Sequence, residues 1–216
     1  YIGNSFFYFN NGIISHLAPM VAEGMKGHPY RQSMITISGS GFDWHDVDSY
    51  FRPNAIGKYS FAADNSVVFN QNSGPLFEAS VLMDCSQCPI HPTMKSVFHE
   101  YAKKHSDTVR KHGAEPIFFM SWAYSDKPEM TGPLAAEYIQ AGQANNALVV
   151  PAGLAFAESR ARRADVPLIM ADKRHPTLQG TYLSACVVLA SVFKVNPMGN
   201  AYTAGLPADV AAHLQA

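Results

Sequence analysis

Tyr1-Ile2-Gly3-Asn4-Ser5 opens the 216-residue chain and reads as the tail of a strand running straight into a tight turn. Glycine permits the sharp backbone, Asn or Ser can cap a following helix, and a serine at such a corner can present its Oγ outward. An ordinary strand-to-helix turn would read the same way. Working outward, apolar runs recur at residues 33–37, 80–83, 116–121 and 147–150, each with the length of a buried strand. Longer amphipathic stretches at 11–25, 92–112, 133–145, 153–163 and 178–193 predict helices. After residue 197 the chain reads as a loop and a weak, Ala-rich terminal helix. Strand and helix in alternation imply βαβ units, hence a parallel sheet with helices on both faces. The length suits one domain spanning residues 1–216.

Composition narrows the function classes. Charged residues make up 15% and the net charge is -1, so there is no basic field for nucleic acid and no acidic tail. Arg160, Arg162 and Arg163, followed by Asp165, read as a solvated helix end. No apolar run approaches the ~20 residues that span a bilayer, and the chain as given reads as soluble. The strand tail at Tyr1 suggests a trimmed start, which favours a secreted or periplasmic location over the cytoplasm. Three cysteines are an odd count and argue against a disulfide-built scaffold. Cys186, in the apolar run 182–193, reads as a buried helix residue.

In a parallel sheet, sites form outside the carboxyl ends of the strands. Gly3-Asn4-Ser5, Gly39-Ser40-Gly41, Asp84-Cys85-Ser86-Gln87, Ser121-Trp122 and Asp172-Lys173-Arg174-His175 can therefore share one rim. A D-x-x-H segment can turn its carboxylate onto Nδ1 of the imidazole and leave Nε2 free to take a proton from a serine. The glycines at 39 and 41 can aim backbone N–H groups at an anionic oxygen. No G-x-G-x-x-G or P-loop supports a nucleotide reading. Cys85-Ser86-Gln87-Cys88, with Pro89 behind it and His91 beyond, admits a redox pair, metal ligands or plain pocket lining. A zinc site would need a further ligand, and no second C-x-x-C exists.

The histidines at 99, 105 and 112 are spaced by six and seven, which makes no tight metal face and reads as surface. The region 39–74 is irregular and carries His45 among Asp43, Trp44 and Asp46. Long loops of this kind are functional or partly folded, so His45 can line a pocket or only orient the loop. Trp44, Trp122, Tyr124 and the run Phe6, Phe7, Tyr8 and Phe9 can form a platform for a sugar or acyl group, or simply fill the core.

The ordered set of motifs resembles the SGNH, or GDSL-type, hydrolases over nearly the whole chain. Gly3-Asn4-Ser5 matches the nucleophile block, Gly39-Ser40-Gly41 the glycine block and Asp172-Lys173-Arg174-His175-Pro176 the final block. Ser86-Gln87-Cys88-Pro89 and Ser121-Trp122-Ala123 are similar to a bacterial branch of the family. The resemblance implies a three-layer α/β/α, flavodoxin-like fold with about five parallel strands, and a serine esterase that needs no metal or organic cofactor. Ser5 would be the nucleophile, His175 the base and Asp172 its orienting carboxylate. The N–H groups of Ser5 and of Gly39 or Gly41 would form the oxyanion hole, while Asn4, Trp44, His45 and Trp122 would line the pocket. The family's third block usually reads Gly-x-Asn-Asp, whereas this chain has Asp84-Cys85-Ser86-Gln87, so Ser86 or Gln87 would have to replace the Asn donor. A small or carbohydrate-linked ester is the implied substrate and partner. Two alternatives stand beside this: a non-catalytic carbohydrate-binding protein on the same fold, and a dithiol oxidoreductase using Cys85 and Cys88, which would need an exposed thiol and a nearby cis-Pro.

Overall fold

The computed structural model describes residues 1–52, 59–69 and 74–216. Along the chain run β1 (Ile2–Gly3), α1 (Ser5–Tyr8), α2 (Ile13–Gly24), β2 (Ile35–Thr36), α3 (Val47–Tyr50), β3 (Tyr59–Phe61), β4 (Val67–Phe69), β5 (Ala79–Leu82) and α4 (Lys95–Lys111). Then follow β6 (Glu115–Phe119), α5 (Thr131–Ala144), β7 (Leu148–Val150), α6 (Ala152–Arg162), α7 (Leu178–Val192) and α8 (Ala208–Gln215). The central sheet has five strands in the order β2-β1-β5-β6-β7, every pair parallel. That order is the doubly wound, flavodoxin-like one, with its switch point beside β1. Each predicted strand and helix is present, with ends that differ by a few residues, as fraying termini do.

Helices cover both sides of the sheet. On one side α2 packs on α7, which in turn meets α6, α8 and β7; α4 lies on β6 and touches α3 and α5. The sheet's apolar runs are buried from both directions: Leu82, Met83, Phe118, Phe119 and Val150 are all inaccessible. At ~25 cal/mol per Å² of apolar surface, continuous burial of this kind is what drives the layers together. Phe7, from the turn after β1, sets its ring edge-on against Phe119 at 5.1 Å and so fastens the first βα corner to the middle of the sheet.

Two glycines let backbone approach backbone near the rim. A Cβ on Gly153 would lie 2.3 Å from the Ser121 carbonyl oxygen, and one on Gly180 would lie 2.2 Å from that of Leu168. Both helix starts, α6 and α7, are thereby pressed onto the segments that carry rim residues.

Three readings change. His105 is buried and donates from Nε2 to the Phe42 carbonyl at 2.8 Å; since a carbonyl only accepts, Nε2 carries the proton. Its register with Phe98, Ala102 and Val109 on the inward face of α4 explains this, and burial pulls its pKa down to about 4. The region 39–74 is less irregular than its composition suggests, since it contains a 3-10 turn at Phe42–Trp44, α3 and the antiparallel pair β3–β4; residues 53–58 and 70–73 lie outside the described residues. Third, Cys85 and Cys88 form a disulfide, leaving Cys186 as a free, buried thiol. Of the readings the C-x-x-C segment admitted, the paired one is observed, and the odd count reflects Cys186 alone.

Candidate active site

The first corner is built by Asn4. Its Oδ1 accepts the N–H of Phe6 at 3.2 Å, capping α1, while its Nδ2 donates to the carbonyls of Ser40 (3.0 Å) and Asp84 (3.1 Å). One buried side chain thus ties together the segments that follow β1, β2 and β5. Ser5 comes next, as the first residue of α1, 9% exposed, with its Oγ 2.9 Å from His175 Nε2.

The segment bearing His175 makes its own geometry. Asp172 Oδ1 accepts the N–H groups of Arg174 (2.9 Å) and His175 (3.0 Å), and Oδ2 lies 2.6 Å from His175 Nδ1. Met170 N–H donates to the His175 carbonyl and Lys173 N–H to that of Met170, so the turn closes on itself. Partial burial raises the Asp172 carboxyl, but the two N–H groups and the imidazole outweigh it and leave its pKa below the ordinary value. An ionised carboxylate at Nδ1 fixes the tautomer in which Nε2 can accept a proton. Aromatic rings hold the imidazole in place: Phe9 stacks on it at 4.0 Å and Phe6 meets it edge-on at 5.6 Å.

The segment after β6 braces this turn from behind. Trp122 donates its indole N–H to the Arg174 carbonyl at 2.9 Å, and Ser125 N–H donates to the Lys173 carbonyl at 3.1 Å. Trp122 itself is sandwiched between Phe6 (4.6 Å) and Phe156 (4.2 Å), stacking that is worth ~1 kcal/mol per pair beyond burial.

In front of Ser5 lies a cavity of about 480 Å³ lined by Asn4, Ser5, Gly39, Cys85, Ser86 and His175, with Tyr8, Ser38 and Arg174 at its sides. Ser5, His175, Gly39, Asn4 and Ser86 are therefore brought together. Asp172 joins them through His175, whereas Gly41, Gln87, Trp122, His45 and Trp44, also expected here, do not. Gly41 faces away, with the carboxylate oxygens of Asp43 and Asp84 at 2.7 and 3.0 Å from where its Cβ would be. Gln87 stands at the N-cap position of the 3-10 turn Cys88–Ile90, with no side-chain bond to it, and does not line the cavity. Trp122 is a buried support beneath the site rather than a wall of it. His45 is buried too, bonded to Ser40 Oγ (3.0 Å) and Tyr50 Oη (3.1 Å), with burial lowering its pKa. Trp44 is 59% exposed and outside the cavity lining.

Below the third segment, Asp84 is buried, with Oδ1 accepting the Phe42 N–H at 2.6 Å and Oδ2 without a hydrogen-bond partner among the described residues. Burial pushes its pKa up to about 7, the expected response of a carboxyl group with one unsatisfied oxygen. The sequence signal for this residue was an acid directly following the apolar run of β5. Among the described residues no group of three or more His, Cys, Asp or Glu side chains converges to hold a metal ion, no helix is long and apolar enough to cross a membrane, and no peptide bond is cis.

Known folds show the same arrangement of elements. A candidate SGNH hydrolase from Slackia heliotrinireducens superimposes with a TM-score of 0.61 at 20% identity, covering 88% of this chain and 95% of that one. The chain has the SGNH hydrolase fold. TesA matches with a TM-score of 0.63 at 14% identity over 88% of this chain and 95% of its own. The acetylxylan esterase Axe2 from Geobacillus stearothermophilus gives 0.59 at 14% identity over 88% and 91%. No family model and no curated protein matches the sequence. Identities this low carry likeness of fold, and the SGNH-type arrangement of this chain rests on its three layers and strand order.

Proposed function

We propose that this protein is a serine ester hydrolase acting through an acyl-enzyme. The observation that carries the reading is the continuous line from Asp172 Oδ2 to His175 Nδ1 at 2.6 Å and from His175 Nε2 to Ser5 Oγ at 2.9 Å. Ser5 Oγ attacks the acyl carbon while Nε2 takes its proton; the imidazolium then returns that proton to the leaving alcohol. Asp172 stays ionised and stabilises the imidazolium, helped by the face of Phe9 stacked on the ring. Water enters next, gives a proton to Nε2 as its oxygen attacks the acyl carbon, and the imidazolium returns that proton to Ser5 Oγ as the acyl–Oγ bond breaks and the acid leaves. The oxyanion of each tetrahedral step is held by the N–H groups of Ser5 and Gly39, which border the cavity.

The substrate class that fits is a small acyl ester, including one on a carbohydrate. A cavity of about 480 Å³ ringed by Tyr8, Ser38 and Ser86 has room for a short acyl group and hydroxyl partners for a polyhydroxylated alcohol. Similar folds include an acetylxylan esterase, which agrees with this choice.

Labelling with a fluorophosphonate, followed by mass spectrometric identification of the modified residue, tests the mechanism. Adduct formation on Ser5 is expected, together with loss of at least ~10³-fold in p-nitrophenyl acetate turnover in Ser5→Ala. Full activity in Ser5→Ala would falsify the mechanism.

A further inference from the structure

We propose that Tyr124 is a positioning residue for the reaction, its hydroxyl donating to Ser86 Oγ so that Ser86 spends its single proton on the acyl oxygen in the cavity. This rests on the ester-hydrolase reading above. It supplies the side-chain oxyanion donor that the third segment otherwise lacks.

The geometry begins with Ser86, which lines the cavity together with Ser5, Gly39 and His175. Its Oγ lies 2.6 Å from Tyr124 Oη, at the short end for an O–H···O bond. A serine hydroxyl has one proton and two lone pairs. If Ser86 donated to Tyr124, it would present only lone pairs to a developing oxyanion and would repel it. With the phenol as donor, the Ser86 proton is free for the cavity. A phenol is far more acidic than an aliphatic alcohol, so donation from Tyr124 is the stronger direction, and a donor that is itself hydrogen-bonded becomes a better donor.

Tyr124 is locked for this task. It is buried, and the Arg174 guanidinium sits 3.9 Å above the centre of its ring. That positive charge further favours the phenol as donor. Arg174 is braced in turn by Asp126 at 3.6 Å, and its carbonyl by the Trp122 indole. The donor to Ser86 and the base at His175 are consequently anchored by adjacent residues of one turn. Ser86 is steadied from its other side by the Cys85–Cys88 disulfide and by the Asn4 bond to the Asp84 carbonyl. No proton is transferred along this chain; both hydrogen bonds only shorten as charge grows on the acyl oxygen.

Kinetics with p-nitrophenyl acetate test the assignment, with thermal melts to confirm folding. Ser86→Ala is expected to lower kcat by ~10²-fold, and Tyr124→Phe, which keeps the ring under Arg174, by ~10-fold with KM nearly unchanged. Ser86→Thr retains the hydroxyl and should restore most of the Ser86→Ala loss. In the double variant Ser86→Ala/Tyr124→Phe, removal of Tyr124's hydroxyl should cost nothing further, because its action passes through Ser86. Wild-type kcat in Tyr124→Phe, or losses that simply multiply in the double variant, would overturn the proposal. If Ser5→Ala is inactive and Ser5 takes the fluorophosphonate while Ser86→Ala and Tyr124→Phe behave as wild type, only this inference fails; if Ser5→Ala stays active, the hydrolase reading fails first.

Discussion

Two segments border the same cavity and take their shape from different sources, although remote residues brace both. The turn from Ile169 to Pro176 is closed by bonds among its own residues: Asp172 to the N–H groups two and three positions on, Met170 to His175, and an isolated bridge between Ile169 and Pro176. The segment Asp84-Cys85-Ser86-Gln87 is held by distant partners, namely Asn4, Phe42 and Tyr124, and by one short disulfide. A turn that closes on itself announces its geometry in a four-residue motif. A turn held from outside does not, and its residues acquire their roles only when three other parts of the chain arrive.

The largest effect should come from the self-closed turn. Asp172→Asn keeps the carbonyl that accepts the Arg174 and His175 N–H groups, but places an amide where His175 needs an acceptor, so the wrong tautomer is favoured; kcat should fall by ~10²–10⁴-fold with little change in melting temperature. An equal fall in stability would show that Asp172 acts as a turn residue more than as the partner of His175.

Asp84 offers the counterpart in the second segment, read through pH. Its folded pKa of about 7 lies above the unfolded value of ~3.9, so the native state holds the extra proton. Its contribution to stability is therefore complete below the unfolded value and is lost as pH rises through 7. His105 works the other way: with a folded pKa of about 4, its contribution is complete above ~6.5 and lost as pH falls through 4. Comparing wild type with Asp84→Asn cancels the histidine. The melting temperature of wild type relative to that variant should decline between pH 4 and 7, each unit of displacement being worth ~1.4 kcal/mol; a pH-independent difference would mean that Asp84 ionises normally.

Smaller still is the disulfide. Closing so short a loop is worth ~2 kcal/mol in chain entropy, so Cys85→Ser/Cys88→Ser should melt a few degrees lower and, well below that temperature, keep most of its ester turnover. Loss of turnover equal to that of Ser5→Ala would show that the closed pair is indispensable to the placement of Ser86. The least effect is expected at Lys173, which sits in the left-handed region at φ 69° within the self-closed turn. Lys173→Gly removes a steric cost of ~1 kcal/mol and adds unfolded-state entropy of similar size, so calorimetry should find stability within ~0.5 kcal/mol of wild type.

Much of this architecture was legible before any coordinates. Runs of four to six apolar residues alternating with amphipathic stretches named each strand of the central sheet and its longer helices, though not the one-turn helices α1 and α3, because burial on both faces demands that pattern. What misled was spacing without partners. His105 read as surface because it was compared with His99 and His112, when its neighbours on the buried face are Phe98, Ala102 and Val109. Trp122 read as pocket lining because it follows a strand end, yet its place between Phe6 and Phe156 depends on residues more than thirty and a hundred positions away. His45 and Trp44 were assigned to the rim by loop composition, which says nothing about which way a loop folds back.

The sequence by itself determined the three-layer fold, the corner at Ser5 and the turn that joins Asp172 to His175, since each follows from local periodicity or from bonds spanning two or three residues. Tertiary structure alone decided that Ser5 and His175, 170 positions apart, meet at 2.9 Å, that Asn4 is a clamp, and that Ser86 rather than Gln87 borders the cavity beside a phenol braced by Arg174. The physical reason is range: hydrogen bonds and ring contacts between remote segments depend on how strands are ordered and helices packed, and no residue pattern within one segment encodes its partner in another.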